Sequence, residues 1–438
     1  MTDLDVVVAG AGLAGLAVAD TLSRAGRDVQ VFETAGQVGG RMVTLRRDGY
    51  TLDEGAEMIS RRGYPATWRL LRRHGMRPGA DVVRITAGVA AWRDGRAHTG
   101  VGQPLSRQAG GLSARGRLGL LRLATTLRRT DPDHPERSPL GSATVADLAG
   151  TYGHDVVEQL LRPLAEGMHG WRADRGSAAC FLANLAAVGG PGQWCTYAEG
   201  MDTLARRLAA TLPVRLGEPI TEVVTLGGGA RLTAGGQTYS ARTVVLALPA
   251  PLILDVHANP EPAARTHLGA CRYAPMVRVA CLLDRPLRPG STPPVHMLAV
   301  PDAASPRIAG LTFDHLRHPG RVPAGRGLVN VLAAPSVAGE LLAETDERVA
   351  AELIAEAERF LPGLRAATRD TVVNRFPHGL PEPDARALAG RAAFLNRPAG
   401  PVEYAGDWLM LRPSSEGAAR SAEIAAARVA AVRERAFL

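Results

Sequence analysis

Three glycines, Gly10, Gly12 and Gly15, stand in G-x-G-x-x-G spacing directly behind the apolar run Asp5–Ala9. A short apolar run without polar alternation reads as a strand buried in a parallel sheet. Behind the glycines, "LAGLAVADTLSRAG" opens with Leu13 and Ala14, keeps leucine and alanine at helical spacing, and stops at Gly26. A second strand, "DVQVFE", ends in Glu33. Each residue type has a physical task. Gly10 permits a tight turn, Gly12 lets a pyrophosphate approach the backbone, and Gly15 lets helix and strand pack closely. The helix N-terminus offers unpaired N–H groups and the positive end of its dipole to phosphates. An acid about 20 residues on, here Glu33, suits ribose hydroxyls. Strand, glycine turn, helix, strand and acid in that order predict a dinucleotide site rather than a bare turn.

The next stretch, "ETAGQVGGRM", sets Gly39, Gly40 and Arg41 behind that acid. A glycine pair followed by arginine suits close approach to a pyrophosphate and neutralisation of its charge. This stretch resembles the G-G-R signature of the flavin amine oxidase superfamily. That superfamily includes amine and amino-acid oxidases, protoporphyrinogen oxidase and phytoene desaturase-like enzymes, and uses FAD. Three further blocks carry the same resemblance in family order. "YTLDEGAEMIS" implies a strand and turn passing the flavin ring through Gly55, Ala56, Glu57 and Met58. "GEPITEVV…ARTVVLALP" implies that Ile220 meets adenine through its backbone. "VEYAGDWLMLRPSSEGAAR" implies that Gly406 and Asp407 reach the ribityl or phosphate region. In that last block, a helix start at Ser415, Glu416 and Ala418 would face the flavin carbonyl O2. A helix N-terminus there favours the negative charge of reduced flavin. No cysteine stands before "YAGDW", so the FAD is expected to be non-covalent.

The implied fold class is α/β: a discontinuous Rossmann-type FAD-binding domain with a mixed α+β substrate domain, an amine oxidase-like two-domain architecture. The FAD domain is expected over residues 1–70, 198–270 and 390–438. The substrate domain takes 71–197 and 271–389, with a helical part at about 104–195. "RTDPDHPERSP" (Arg129 to Pro139) reads as a polar, proline-rich loop that moves.

With 438 residues, 46% of them hydrophobic and 21% charged, the chain can build a large core and is not a disordered polymer. Its net charge is +8, and every basic residue is an arginine. The arginines are dispersed, so a composition bias accounts for the charge better than a nucleic-acid partner. No run is long and apolar enough for a membrane span. The N-terminus lacks the basic region, apolar run and cleavage site of a secretory signal, and the four cysteines fit neither zinc nor a disulfide scaffold. A cytoplasmic location with reduced thiols is expected. The histidines show no metal spacing, so no metal is expected. In "RGRLGLLRLATTLRR" (Arg115 to Arg129), leucines at helical spacing are flanked by arginines. This suits either peripheral contact with a membrane surface or a domain helix that turns its leucines inward; the inward reading is preferred. A homodimer is left open.

The resemblance implies that hydride leaves a C–N or C–C bond of a small-molecule substrate for flavin N5, and that O2 takes the electrons to give hydrogen peroxide. Amine oxidases of the family place a lysine on a substrate-domain strand; this chain has no lysine, and Arg278 falls at that position. The aromatic residue expected before E-G-A is replaced by Ser414 and Ser415. These departures favour protoporphyrinogen oxidase-like or desaturase-like C–C dehydrogenation of a bulky, hydrophobic molecule. The alternative is C–N oxidation of a biosynthetic intermediate. Glu57 is the candidate base or orienting carboxylate, and Arg278 the candidate electrostatic group. Trp408 is equally suited to cofactor packing and to the core; Trp171, Trp194, Tyr197 and Tyr273 are expected in the core more than on a ligand. An NAD(P)H-dependent flavoprotein is disfavoured, because no second G-x-G-x-x-G follows a strand. A non-redox FAD binder is disfavoured, because all the cofactor blocks are intact.

Overall fold

The structure is a computed structural model that describes residues 2–101, 112–291 and 293–435. The expected helical part begins at 104, so its residues 104–111 lie outside the described residues.

Strand β1 (Thr2–Ala9) leads through the glycine turn into helix α1 (Leu13–Arg24) and strand β2 (Val29–Glu33). Val6 and Val8 face α1, whereas Val7 and Ala9 face the core below the other side of the sheet. Both faces of β1 are therefore covered, which is why the run is apolar without alternation. Sheet order is 214–216, β2, β1, β3 (Gln237–Leu246), then the antiparallel strands 229–234 and 220–226. Residues 402–404 add to β3 in parallel. The four parallel strands 214–216, β2, β1 and β3 end on one side, and 402–404 ends there too. This is the side where open α/β sheets bind ligands.

The second sheet runs 368–382, β4 (Arg272–Leu283), β6 (Gly327–Ala333), β5 (Ile308–Phe313), 295–299, 88–93 and 96–98. On β4 the period of two decides the placement of Arg278. Val277, Val279, Cys281 and Leu283 pack into the core with the helix Asp346–Ala357. Ala280 and Leu282 face the opposite way, toward Tyr50 and Leu52 of the hairpin 44–53. Arg278 shares their face.

From 114 to 188 the described elements are helices. Helix α2 spans Pro65–Arg73 and α3 spans Ala114–Arg129. A helical stretch from 154 to 169 passes through a π-helical turn at Val157–Leu161, just before Pro163. Proline has no N–H to give, and the wider turn accommodates the missing bond. The Arg129–Pro139 loop is pinned rather than loose. Asp133 pairs with Arg420 at 2.5 Å and Glu136 with Arg391 at 2.7 Å, with a short 3-10 turn at Pro135–Arg137. Arg420 lies on helix α4 (Ser415–Arg435), whose alanine-rich face packs on α1. Among the described residues no helix is long and apolar enough to cross a membrane.

Glu166 is buried on the helix 162–169. Burial and the Asp302 charge push its carboxyl up to about 8, against the pull of Arg162 at 3.3 Å. An unfolded glutamate titrates near about 4.3. Between those values the folded state keeps a proton that the unfolded state has released, so rising pH favours unfolding. The midpoint of thermal unfolding should fall by about 2–4 °C between pH 5 and pH 8.5 through this group alone. Glu166→Gln should flatten that part of the slope. An unchanged slope in the variant would remove Glu166 from the pH response.

Candidate active site

At the carboxyl end of β1 the backbone itself makes a cradle. Gly10 has φ +98°, and a Cβ there would stand 2.8 Å from the Ala247 carbonyl oxygen. A Cβ on Gly15 would stand 1.9 Å from the Gly10 oxygen. A Cβ on Gly12 would meet nothing within 4 Å. The first and last glycines are thus required by packing, and the middle one opens on space. Leu13 and Ala14 bury their side chains, so they can offer a ligand only backbone N–H groups. Among the described residues no side chain caps α1. Glu33 is held beside this turn: its Oε2 accepts the Ala11 N–H at 2.7 Å and its Oε1 the Ala35 N–H at 2.9 Å.

The second glycine pair lies on the first. Gly39 donates its N–H to the Ala11 oxygen at 2.9 Å, and a Cβ on Gly40 would lie 3.3 Å from the Gly12 Cα. Arg41 pairs with Asp407 at 2.8 Å and donates to the Gly379 oxygen at 3.0 Å, with its guanidinium 5.9 Å from the Tyr273 ring centroid. The Glu218 N–H donates to the Glu33 oxygen, which brings the turn before Ile220 alongside the acid; the Ile220 side chain points into the core. Gly406 donates its N–H to Ser421 Oγ on α4. Open space over Gly12, an uncapped α1, a placed acid and an arginine are the donor set and shape that an FAD pyrophosphate and ribose require.

Three motif residues have other uses. The Glu416 carboxylate is buried, accepts the Ala66 and Thr67 N–H groups at 3.1 and 2.9 Å, and pairs with Arg420 at 2.7 Å. It caps the start of α2, which leaves its backbone alone to face a cofactor. Ser414 Oγ accepts the Gly417 N–H and the Ser414 oxygen accepts the Ala418 N–H, so Ser414 caps α4. Ser415 Oγ lies 3.3 Å from Thr67 Oγ1.

The remaining sequence candidates meet in a buried ion cluster. Gly55 passes Arg41 so closely that a Cβ would stand 2.1 Å from the Arg41 oxygen, and Ala56 donates its N–H to that same oxygen at 2.8 Å. Two residues on, Glu57 Oε1 accepts from Arg278 Nη1 at 2.8 Å and from Thr312 Oγ1 at 3.1 Å, and its Oε2 pairs with Arg317 at 2.8 Å. Arg278 also reaches the Gly55 oxygen at 3.4 Å. Arg317 pairs with Asp314, and Asn330 donates to both Asp314 and Thr312. Burial pushes the Glu57 carboxyl up, but the charges of Arg317 and Arg278 outweigh it and hold the group below the ordinary carboxylate range. His296 donates through Nδ1 to the Ala87 oxygen; burial and the Arg317 charge lower it to about 4, so it is neutral near pH 7. Met58 lies partly buried against the helical core with Leu164 and Met168.

Sequence reasoning missed Arg317, Asp314, Thr312 and Asn330. In "TFDHLRHPGR" Asp314 and Arg317 stand at i, i+3 spacing, a signal that ordinarily means a solvated helix face. Trp171 and Tyr197 are fully buried, and Trp408 is buried with its ring 5.8 Å from Phe394. Tyr273 alone of the aromatic candidates comes to the Arg41–Asp407 pair.

The glycine geometry separates two substitutions. Gly12→Ala should leave the unfolding midpoint of flavin-free protein unchanged while weakening flavin retention at least tenfold, because its Cβ enters the open space. Gly15→Ala should lower both, by about 1–3 kcal/mol in stability, because it strikes backbone. Flavin-to-protein absorbance and thermal unfolding check this. Full flavin in Gly12→Ala would move the phosphate site elsewhere.

The family model for flavin containing amine oxidoreductases matches residues 13–430. A 4,4'-diapophytoene desaturase of Staphylococcus haemolyticus is 43% identical over 56 residues, which are 13% of this chain and 11% of that protein. The chain thus matches only a small fraction of that relative's length. Putrescine oxidase bound to putrescine superposes with a TM-score of 0.79 at 19% identity, over 98% of this chain and 99% of that one. A protein of Exiguobacterium that carries the name protoporphyrinogen oxidase superposes with a TM-score of 0.75 at 20% identity, over 99% and 100%. These likenesses establish the two-sheet fold. Matched from the helix behind the glycine turn to the closing helix, the chain belongs to the family of flavin-containing amine oxidoreductases and is an FAD-dependent enzyme.

Proposed function

We propose that this enzyme dehydrogenates a C–C bond of a bulky, largely hydrophobic small molecule, in the manner of protoporphyrinogen oxidases and desaturases, with O2 as final acceptor. Residues 1–70, 198–270 and 390–438 form the cofactor domain in this reading, and 71–197 with 271–389 the substrate domain. The residues from Gly10 to Gly15 with Gly39–Arg41 would hold the pyrophosphate, and Glu33 the adenosine ribose. Ile220 would meet the adenine through its backbone, and Asp407 the ribityl or phosphate region. Gly55–Met58 and the start of α4 at Ser415–Ala418 would border the ring. FAD, when bound, supplies the hydride acceptor.

The observation that carries the reading is the clamp on Arg278. Its guanidinium is tied to Glu57 and to the Gly55 oxygen, and it is almost fully buried. A guanidinium holds its charge at every working pH, so this position supplies a fixed cation and no proton acceptor. Glu57 is held ionised between two arginines, which makes it a weak base. Its role here is to orient Arg278. The serines that stand where an aromatic is expected are spent on capping α4 and on Thr67, so they form no cage for a neutral amine. Met58, next to Glu57 in the chain, is apolar and partly buried against the helical core. Together these groups stabilise negative charge and exclude water, and leave base catalysis to other groups.

C–N oxidation is the second reading, and Glu54 favours it. Its carboxyl is half-buried, with no side-chain hydrogen bond among the described residues. Burial pushes it up against the Arg278 charge. A carboxylate there would suit a protonated amine.

Anaerobic bleaching of the flavin band tests both readings. Porphyrinogens or polyenes should bleach it, and primary, secondary and acylated amines should not. Arg278→Met should keep flavin and slow bleaching by about 10²–10³-fold. Bleaching by amines alone would overturn C–C dehydrogenation in favour of the second reading.

A further inference from the structure

We propose that Glu54 takes the proton that the substrate gives up as its hydride leaves. This deepens the proposed function and rests on its reading that residues 55–58 border the flavin ring. The motif blocks hold several carboxylates, and nearly all are spent. Glu33 accepts two backbone N–H groups. Asp53 is paired with Arg321, Asp407 with Arg41, and Glu416 closes the start of α2. Glu57 lies between Arg278 and Arg317. Bonds of this kind favour the ionised form and make a carboxylate a poor proton acceptor. Glu54 stands between Asp53 and Glu57 in the chain and differs from both. It is half-buried, and its side chain makes no hydrogen bond or ion pair among the described residues. Neither of its carboxylate oxygens is sealed in the core, so both are open to an incoming group. The backbone fixes its place. The Glu54 N–H donates to the Val43 oxygen at 3.0 Å, and the oxygen of the next residue, Gly55, lies 3.4 Å from Arg278 Nη1.

Taking two hydrogens from a C–C bond requires two acceptors. The hydride goes to the flavin, and the proton needs a base. Arg278 has no lone pair to offer, and Glu57 is held by two cations. His296 is neutral near pH 7, but its Nε2 is enclosed in the core. Of the acids and the imidazole around Arg278, Glu54 alone among the described residues is both open and unspent. Burial raises its affinity for a proton, and the Arg278 charge, acting without a hydrogen bond, offsets this only in part. That makes it a better acceptor than an exposed glutamate. The step balances. Two C–H bonds of the substrate break, and one π bond and one Glu54 O–H bond form. The hydride carries two electrons to the flavin, and the proton passes from Glu54 to water. In C–N oxidation the same carboxylate would take the proton from nitrogen.

Two measurements on the flavin-loaded full chain test this. The first needs no substrate. A carboxyl that titrates beside the ring shifts the flavin absorption band with pH, at a midpoint above the ordinary glutamate range. Glu54→Gln should abolish that shift and Glu54→Asp should keep it. A titration unchanged in Glu54→Gln would place the carboxylate away from the ring and overturn the proposal. The second is anaerobic bleaching by whichever compound of the two panels bleaches the parent. Glu54→Gln should slow it at least about 10²-fold and remove its rise with pH. The apparent affinity for the compound should stay within about twofold of the parent. Glu54→Asp should keep the rise with pH at a reduced rate. Flavin content and the unfolding midpoint should match the parent in both variants. Bleaching of Glu54→Gln at the parental rate overturns the proposal, whichever panel reacts. Bleaching of the parent by amines alone overturns C–C dehydrogenation instead, and the same variant then judges Glu54 on its own.

Discussion

Asp53 and Arg321 form an ion pair with neither side chain exposed, and the geometry of the cleft depends on it. Arg321 Nη1 lies 2.9 Å from Asp53 Oδ2, while its Nη2 donates to Thr196 Oγ1 and to the Tyr197 oxygen. The other carboxylate oxygen of Asp53 accepts from Thr44 Oγ1 and from the Met201 N–H. One pair thereby joins the hairpin 44–53, the strand 194–197, the turn at 201 and the loop that follows β5. Removing one partner from such a pair costs about 3–5 kcal/mol, because it strands a charge in low dielectric. Two residues beyond Asp53, Gly55 lies against Arg41, and two further on Glu57 meets Arg278. A shift at Asp53 would reach the proposed phosphate side through Arg41 and the proposed ring side through Glu57, so both ends of the proposed site share one register.

A chain with no lysine has a particular electrostatic character. Guanidinium groups do not shed their proton on burial, so each buried cation here is a permanent one that demands a carboxylate or carbonyl partner. The structure meets that demand in chains: Arg278–Glu57–Arg317–Asp314 beside the proposed ring site, Arg41–Asp407 beside the proposed phosphate site, and Arg391–Glu136 with Arg420–Asp133 pinning the loop near 135. The chemistry open to such a site is charge stabilisation more than proton transfer. The absence of lysine thus reaches from composition to mechanism.

The cofactor side of the fold was legible because its constraints are local. Backbone approach admits only glycine at Gly10 and Gly15, and a strand covered on both faces must be apolar, as Val6 to Val8 are. Those facts are visible in a string of letters. What escaped the sequence depends on chain segments that meet only after folding. Glu57 lies more than two hundred positions from Arg278 and Arg317, and no spacing rule relates them. The Arg129–Pro139 loop looked free because its composition is that of free loops; Arg391 and Arg420, which hold it, come from distant helices. Helix α3 was legible as a helix, but its orientation was not. The periodicity of its leucines allows either face to be the buried one; Leu120 and Leu123 turn inward, because Gly116 and Gly119 admit only one close contact.

The same distinction explains Glu416. In the sequence it belongs to a block whose resemblance implies a cofactor contact. The carboxylate itself serves the protein: it closes the first turn of α2 through the Ala66 and Thr67 N–H groups and is steadied by Arg420. That leaves α4 able to present its own N-terminal backbone, with Ser414 taking the capping bond. A side chain that fixes two helix starts at once is as constrained as one that touches ligand. A motif therefore locates a site more securely than it assigns a role to each of its letters, and the role has to be read from where each side chain's hydrogen bonds go.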